Sequence, residues 1–268
     1  MGFTSEHKRE RLFFGLTDLT AFTFVGLGCL KLLLSQKKEL HGQLIQQQLY
    51  EVFGNQWRFS NNILYKVLHT YEDEGYLRSH WTEAYGPNKK VSRHYAITDA
   101  GVEYFKAAHP AFSDKLQHIQ KLWDKALHLL WNNDQPPEVA MYAIPFSSSL
   151  FCRVYTLYLL SEAGNEKEYI YARELQEMAY KCFDGLWQPS DGMLYPMLVQ
   201  MDADGFVESE WMDNGEIGYS KKRTARGYKL TAKGREELAR LRSDESGVKQ
   251  KILSMSILCK QTIAFIAK

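Results

Sequence analysis

The chain carries the same sequence pattern twice, and this repeat limits its possible folds more than any other feature. Residues 57–81 and 187–211 align without a gap at a constant separation of 130 positions. Eight of the 25 aligned positions are identical, where average residue usage predicts about one or two. Downstream the separation grows to 133, so the second copy holds three extra residues, which we expect at a hairpin tip. The 268 residues are therefore expected to form two similar domains.

Each copy has the same predicted order of elements. Helical patterns end at glycines, short strand-like segments follow, and a Gly-rich basic turn separates the two strands. The predicted helices are 19–34, 42–52 and the segment after Ser60 in copy one, and 150–160, 171–182 and the segment after Ser190 in copy two. The predicted strands are 76–81 and 95–97, then 206–211 and 228–230. Helix, helix, helix, strand, turn, strand and helix is the order of a winged helix-turn-helix, so we expect a mostly α fold with small β wings.

The third helix of each copy shows the clearest periodicity. Its apolar residues recur at helical spacing and predict one buried face: Ile63, Leu64, Val67, Leu68 and Tyr71, matched by Met193, Leu194, Met197, Leu198 and Met201. Ser60 and Ser190 are good N-cap residues. Pro196 conflicts with this pattern because it removes a backbone hydrogen bond. Either the regular helix begins nearer Leu194, or Gly192 permits a distorted first turn.

The sequence SDGMLYPML at 190–198 resembles the PadR-family signature S-x-G-x-L-Y-P-x-L. Copy one retains the serine, both leucines and the tyrosine but has Asn62 and Lys66 in place of glycine and proline. Its Gly86-Pro87 and the basic residues that follow resemble the family's wing. The resemblance implies a DNA-binding transcriptional regulator whose later helices serve dimerisation, and whose ligands are aromatic acids or flat drugs.

A winged helix places its third helix in the major groove and its wing on the flanking backbone. The outward polar residues of the third helices are candidate DNA contacts: Ser60, Asn61, Asn62, Tyr65, Lys66, His69, Ser190 and Tyr195. The wings add candidate phosphate contacts: Lys89, Lys90, Arg93, Lys221, Lys222, Arg223 and Arg226. The formal net charge is only +1, so these residues must act as local positive patches.

Two further amphipathic stretches, 116–131 and 248–267, predict helices. The resemblance to the PadR family implies that these helices pair the two copies. We expect domains at 12–132 and 146–268 with a linker at 133–145, forming an intramolecular pseudo-dimer on double-stranded DNA. Because the reading helices differ, the operator should be asymmetric. A homodimer of whole chains remains open. Trp123 and Trp131 are candidate residues for a small aromatic effector, and ordinary interface packing is the alternative.

Other classes of protein find less support. Asp18 and Lys31 interrupt the apolar N-terminal stretch, and its internal counterpart argues against a secretion signal, so we expect a cytoplasmic protein without a membrane span. The histidine spacing fits no metal signature, and no enzyme or cofactor motif occurs, so we expect no metal, cofactor or catalysis. The near-neutral charge and the carboxylates of Asp191, Glu208 and Glu210 favour one alternative, a ligand- or protein-binding module that no longer contacts DNA.

Overall fold

The computed structural model describes residues 20–82, 91–131, 147–164, 167–213, 224–243 and 246–268. Copy one comprises α1 (Ala21–Gln36), β1 (Leu40–His41), α2 (Gly42–Val52), α3 (Asn61–Asp73), β2 (Leu77–Trp81), β3 (Arg93–Ile97) and α4 (Asp99–Trp131). Copy two comprises α5 (Ser148–Ala163), β4 (Ile170–Tyr171), α6 (Ala172–Cys182), α7 (Asp191–Ala203), β5 (Val207–Asp213), β6 (Thr224–Leu230), α8 (Ala232–Arg242) and α9 (Val248–Ile266). This confirms the tandem winged helix-turn-helix fold.

Each copy has one small antiparallel sheet, and the last of its three strands along the chain lies in the middle of that sheet. The orders are β1-β3-β2 and β4-β6-β5. In copy one, Trp81 lies opposite Arg93, and in copy two Trp211 lies opposite Arg226. The second hairpin pairs two residues further, to Asp213 opposite Thr224. The predicted three-residue insertion falls in 214–223, outside the described residues.

The helix that follows each wing starts from the same contact. Thr98 caps α4: its hydroxyl accepts from the Gly101 amide at 3.1 Å and donates to the Gly75 carbonyl at 2.7 Å. Thr231 caps α8 through the corresponding bonds to Gly234 and Gly205, at 3.0 and 2.8 Å. A Cβ on Gly101 or Gly234 would overlap the backbone carbonyl oxygen of Tyr76 or Phe206. These glycines therefore set how closely each helix approaches the turn before the wing.

The structure decides between the two alternatives for the Pro196 helix. α7 begins at Asp191, and the Leu194 amide already donates to the Ser190 carbonyl at 2.9 Å. The alternative of a later start near Leu194 is wrong. Pro196 leaves only the Gly192 carbonyl without its helical partner. Gly192 is exposed, and nothing lies within 4 Å of its missing Cβ.

The described residues form two compact units. Unit 1 contains 20–82, 91–120 and 254–268, and unit 2 contains 121–131, 147–164, 167–213, 224–243 and 246–253. Helices α4 and α9 therefore each begin in one unit and end in the other. The core of unit 1 includes an aromatic cluster of Phe24, Phe53, Trp57 and Phe59, and that of unit 2 a cluster of Phe151, Tyr155, Phe183 and Trp187.

Two kinds of feature are missing from the described part of the chain, a membrane-spanning helix and a metal-binding cluster. None of its helices combines the length and apolar character that crossing a bilayer requires. In the same residues, His, Cys, Asp and Glu side chains form no group of three or more arranged to hold a metal ion.

Candidate nucleic-acid interface

Helix α3 presents a polar face to solvent and an apolar face to the core. Leu64, Val67, Leu68 and Tyr71 are buried, as their spacing predicts. The Ser60 hydroxyl accepts from the Ile63 amide at 3.4 Å, which makes it the N-cap. All six predicted contact residues of this helix are exposed together: Ser60, Asn61, Asn62, Tyr65, Lys66 and His69. Donors and acceptors thus line one side of a helix of 13 residues.

Helix α7 has the same geometry with different chemistry. Ser190 and Tyr195 are exposed, but the Ser190 side chain makes no capping bond. Pro196 and Val199 extend the exposed face, and the 13 residues of α7 include neither Lys nor Arg. Helix α7 therefore exposes mainly apolar side chains where α3 exposes polar and basic ones.

Arg93 holds the wing of copy one against α3. Its Nη2 lies 2.6 Å from Glu72 Oε2, and its Nε donates to Ser79 Oγ at 2.7 Å. Ser79 Oγ in turn donates to Glu72 Oε1 at 2.6 Å, which closes the set. Partial burial works against ionisation, but the bonds from Ser79 and Arg93 outweigh it and hold the Glu72 pKa below its usual range.

Copy two repeats this arrangement with Asp202 in place of Glu72, and there the serine and the arginine both bond the same carboxylate oxygen. Arg226 Nη2 lies 2.7 Å from Asp202 Oδ2, and Arg226 Nε donates to Ser209 Oγ at 2.8 Å. Ser209 Oγ donates to the same carboxylate at 2.8 Å. We call these two sets the arginine clamps: Glu72, Ser79 and Arg93 in copy one, and Asp202, Ser209 and Arg226 in copy two.

Two of the predicted phosphate contacts, Arg93 and Arg226, are part of the clamps. The side chains of Arg93 and Arg226 are only 27% and 32% exposed, and each guanidinium already faces a carboxylate. Arg93 and Arg226 thus hold each wing against the third helix of its copy, which is the geometry of positioning residues. Sequence reasoning missed the carboxylates and serines, although the repeat alignment contained a signal, since both copies place an acidic residue, a serine and an arginine at matching positions.

A groove of about 380 Å³ lies between α3 and the wing in unit 1. Tyr65 and His69 line it from α3, and Trp81, Val91 and Arg93 from the wing. Tyr95 is buried, and the Arg93 guanidinium carbon lies 5.7 Å from its ring centroid. The groove thus joins the exposed face of the reading helix to an aromatic wall on the wing.

The remaining wing cations, Lys89, Lys90, Lys221, Lys222 and Arg223, lie outside the described residues. Two carboxylates near α7 are engaged within copy two. Asp191 Oδ1 accepts from Gln176 Nε2 at 2.7 Å. Glu208 Oε1 lies 3.1 Å from Lys229 Nζ, and the hydrogen bond from this lysine holds the Glu208 pKa below its usual range. These partners lessen the repulsion that the two carboxylates would exert on a phosphate.

The two candidate effector residues belong to unit 2. Trp123 is fully buried, and its ring meets Phe151 edge to face at 5.3 Å. Trp131 Nε1 donates to the Arg242 carbonyl at 2.8 Å. Trp123 occupies the position that ordinary packing would give it. Relief of DNA binding by a small aromatic ligand stays a prediction.

Comparison with known proteins places the chain among transcriptional regulators. The profile of the Transcriptional regulator PadR-like family matches residues 30–107 and 157–240, which is more than half of the chain and one segment in each copy. The chain belongs to this family. Neither the curated proteins nor the solved structures include a match. The two matched segments of this PadR-like protein contain α3, α7 and both arginine clamps.

Proposed function

We propose that this PadR-like protein is a sequence-specific double-stranded DNA-binding regulator that represses transcription in the cytoplasm by excluding polymerase from its operator. In this proposal α3 and α7 enter the major groove and the wings contact phosphates. The observation that carries it is the polar face of α3, where six exposed residues can contact DNA. Since α3 and α7 differ in chemistry, we expect both copies to share one asymmetric operator.

The residue types on α3 suit particular base edges. Asn61 and Asn62 can each bond the edge of an adenine, and Lys66 can reach a guanine. Tyr195 and Val199 of α7 instead suit apolar contact with thymine methyl groups. Selection of bound duplexes from a random-sequence library by the full-length chain tests the proposal directly. Recovery of a shared asymmetric sequence would support it, while failure to enrich any sequence would contradict it.

Replacing Lys66 by Ala should weaken binding to the selected duplex about tenfold and relax the preference at one base pair. A good side-chain contact to a base edge contributes about 1–3 kcal/mol of discrimination. Competition gel shifts with duplexes altered at single positions measure both effects. Lys106→Ala is the matched control, because Lys106 is an exposed lysine on α4 that pairs with Glu103. An equal loss in both variants would contradict a reading role for Lys66.

Replacing Lys89 and Lys90 together by Ala should weaken binding to all duplexes alike and reduce the salt dependence. Each lost phosphate contact lowers the slope of log affinity against log salt by about 0.9, so two should lower it by about 2. Arg93 stays intact in this variant, which separates phosphate contact from the arginine clamp. An unchanged slope would contradict the wing assignment.

The face of α7 favours a second candidate function for copy two. Tyr195, Pro196 and Val199 are exposed there and α7 has no cation, which is typical of a surface for an apolar protein or ligand. In that case copy one alone would contact DNA. Tyr195→Ala would then leave affinity for the selected duplex unchanged, whereas a loss would favour DNA contact by both copies.

A further inference from the structure

Two tryptophans lie exposed on the wings at equivalent positions. Trp81 is 63% exposed at the end of β2, and Trp211 is 67% exposed on β5. The two residues are 130 positions apart and belong to the same place in the repeat. An indole left in water gains nothing for folding, but it offers a large apolar surface to a partner. Both wings therefore carry an aromatic surface that their own cores do not use.

Each exposed tryptophan lies opposite the arginine of a clamp in the neighbouring strand. Alternate residues of a strand face the same side, so Trp81 projects with Ser79 toward the α3 side of the sheet. Its cross-strand partner is Arg93, whose guanidinium carbon lies 5.8 Å from the indole centroid. Trp211 has the same register opposite Arg226, the arginine of the second clamp. Each indole thus lies across the hairpin from an arginine that two bonds of its clamp hold in place, one to a carboxylate and one to a serine hydroxyl.

In copy one the indole borders the same groove as the reading helix. Trp81 lines it together with Tyr65 and His69, which belong to the exposed face of α3. A DNA strand that contacted Tyr65 and His69 would therefore also lie beside the indole that lines the same groove. The sugar edge is the least charged part of such a strand, and it suits an aromatic face better than a phosphate does.

We infer that Trp81 and Trp211 are DNA contacts, each packing its indole on the deoxyribose edge of the strand beside the wing. This inference rests on the proposed function. The contact is apolar and independent of base identity, so it adds affinity that salt does not screen. It complements the cationic wing residues, whose contribution depends steeply on salt.

The test compares full-length Trp81→Ala, Trp211→Ala and the double variant with the unaltered chain on a short duplex of mixed sequence. We expect each single variant to bind about five- to tenfold more weakly, as truncation of a central aromatic contact does. The slope of log affinity against log salt should stay unchanged. Tyr180→Ala is the matched control, since Tyr180 is an exposed aromatic residue on α6 and not on a wing.

A spectroscopic measurement covers the case in which an alanine variant folds poorly. The duplex should quench tryptophan emission of the unaltered chain, and the quenching should fall in Trp81→Phe and again in Trp81→Phe/Trp211→Phe, with affinity largely kept. Full affinity in both alanine variants, undiminished quenching in the phenylalanine variants, or a changed salt slope would each overturn the inference while the proposed function stands. Absence of any binding by the unaltered chain would instead overturn the proposed function.

Discussion

Replacing Glu72 by Ala is expected to lower the free energy of unfolding by about 2 kcal/mol and to weaken operator binding at least tenfold. The change removes the carboxylate that faces Arg93 at 2.6 Å and the acceptor of the Ser79 hydroxyl. A largely buried guanidinium then lacks its counter-charge, which costs more than the net value of the pair. The wing and α3 lose the contact between Arg93 and Glu72, and within the described residues the Arg93–His69 contact at 3.3 Å is the one that remains to this arginine on α3, so we expect DNA binding to weaken as well.

Denaturant unfolding and gel shifts measure the two effects separately. Glu103→Ala is the matched control, because Glu103 forms an exposed pair with Lys106 and should change stability by no more than about 0.5 kcal/mol. Glu72→Gln should fall between the unaltered chain and Glu72→Ala, since an amide still accepts from Ser79. A stable Glu72→Ala variant with full DNA affinity would show that the clamp has no positioning role.

The Glu72 pKa also fixes the direction of a pH effect. Because its pKa in the folded chain is lowered, ionised Glu72 stabilises the fold above its unfolded pKa of about 4.3. That contribution disappears as the pH falls through the lower pKa of the folded state. The stability difference between the unaltered chain and Glu72→Ala should therefore shrink on acidification and be constant near neutral pH.

Replacing Gly234 by Ala should destabilise the chain by about 3 kcal/mol or more. The added methyl group would overlap the backbone carbonyl oxygen of Phe206. This carbonyl cannot move away easily, since it accepts from the Thr231 amide at 3.2 Å and from its hydroxyl at 3.1 Å. Gly101→Ala should cost a similar amount against Tyr76 in copy one.

Gly192→Ala is the control for this second prediction. Gly192 is also a helical glycine, but nothing lies within 4 Å of its missing Cβ. Alanine should leave stability unchanged or raise it by up to about 1 kcal/mol through its better helix propensity. Thermal unfolding of the three variants decides the matter: equal midpoints for Gly192→Ala and Gly234→Ala would contradict the proposed backbone contact.

Local sequence signals predicted the fold and the exposed face of α3 well. The helical spacing of Leu64, Val67 and Leu68 depends only on neighbouring residues, and Ser60 caps α3 as a residue of its type should. Because the chain contains two copies, each helix and strand could be predicted from two different sequences. This is why the weak strand signals before Trp81 and Trp211 could be interpreted as wings.

Contacts between distant residues were out of reach of such reasoning. Arg93 was predicted as a phosphate contact because it belongs to the basic wing of a winged helix, while its pairing with Glu72 arises only in the folded sheet. The start of α7 could not be predicted because Pro196 takes the helical partner away from the Gly192 carbonyl. Whether the helix tolerates this depends on the exposure of Gly192, which only the folded structure gives. The sequence placed Trp81 and Trp211 at the ends of predicted strands, but their exposure is a property of the three-dimensional wing.

The membership of α9 in both compact units bears on the order in which the protein can form. Residues 121–253 leave the ribosome before residues 254–268, so the described part of unit 2 is complete while unit 1 still lacks its last segment. A chain that stopped near position 254 would therefore keep the described residues of unit 2 and lack residues 254–268 of unit 1. A substitution within residues 254–268 would therefore act on the unit that residues 20–82 and 91–120 form.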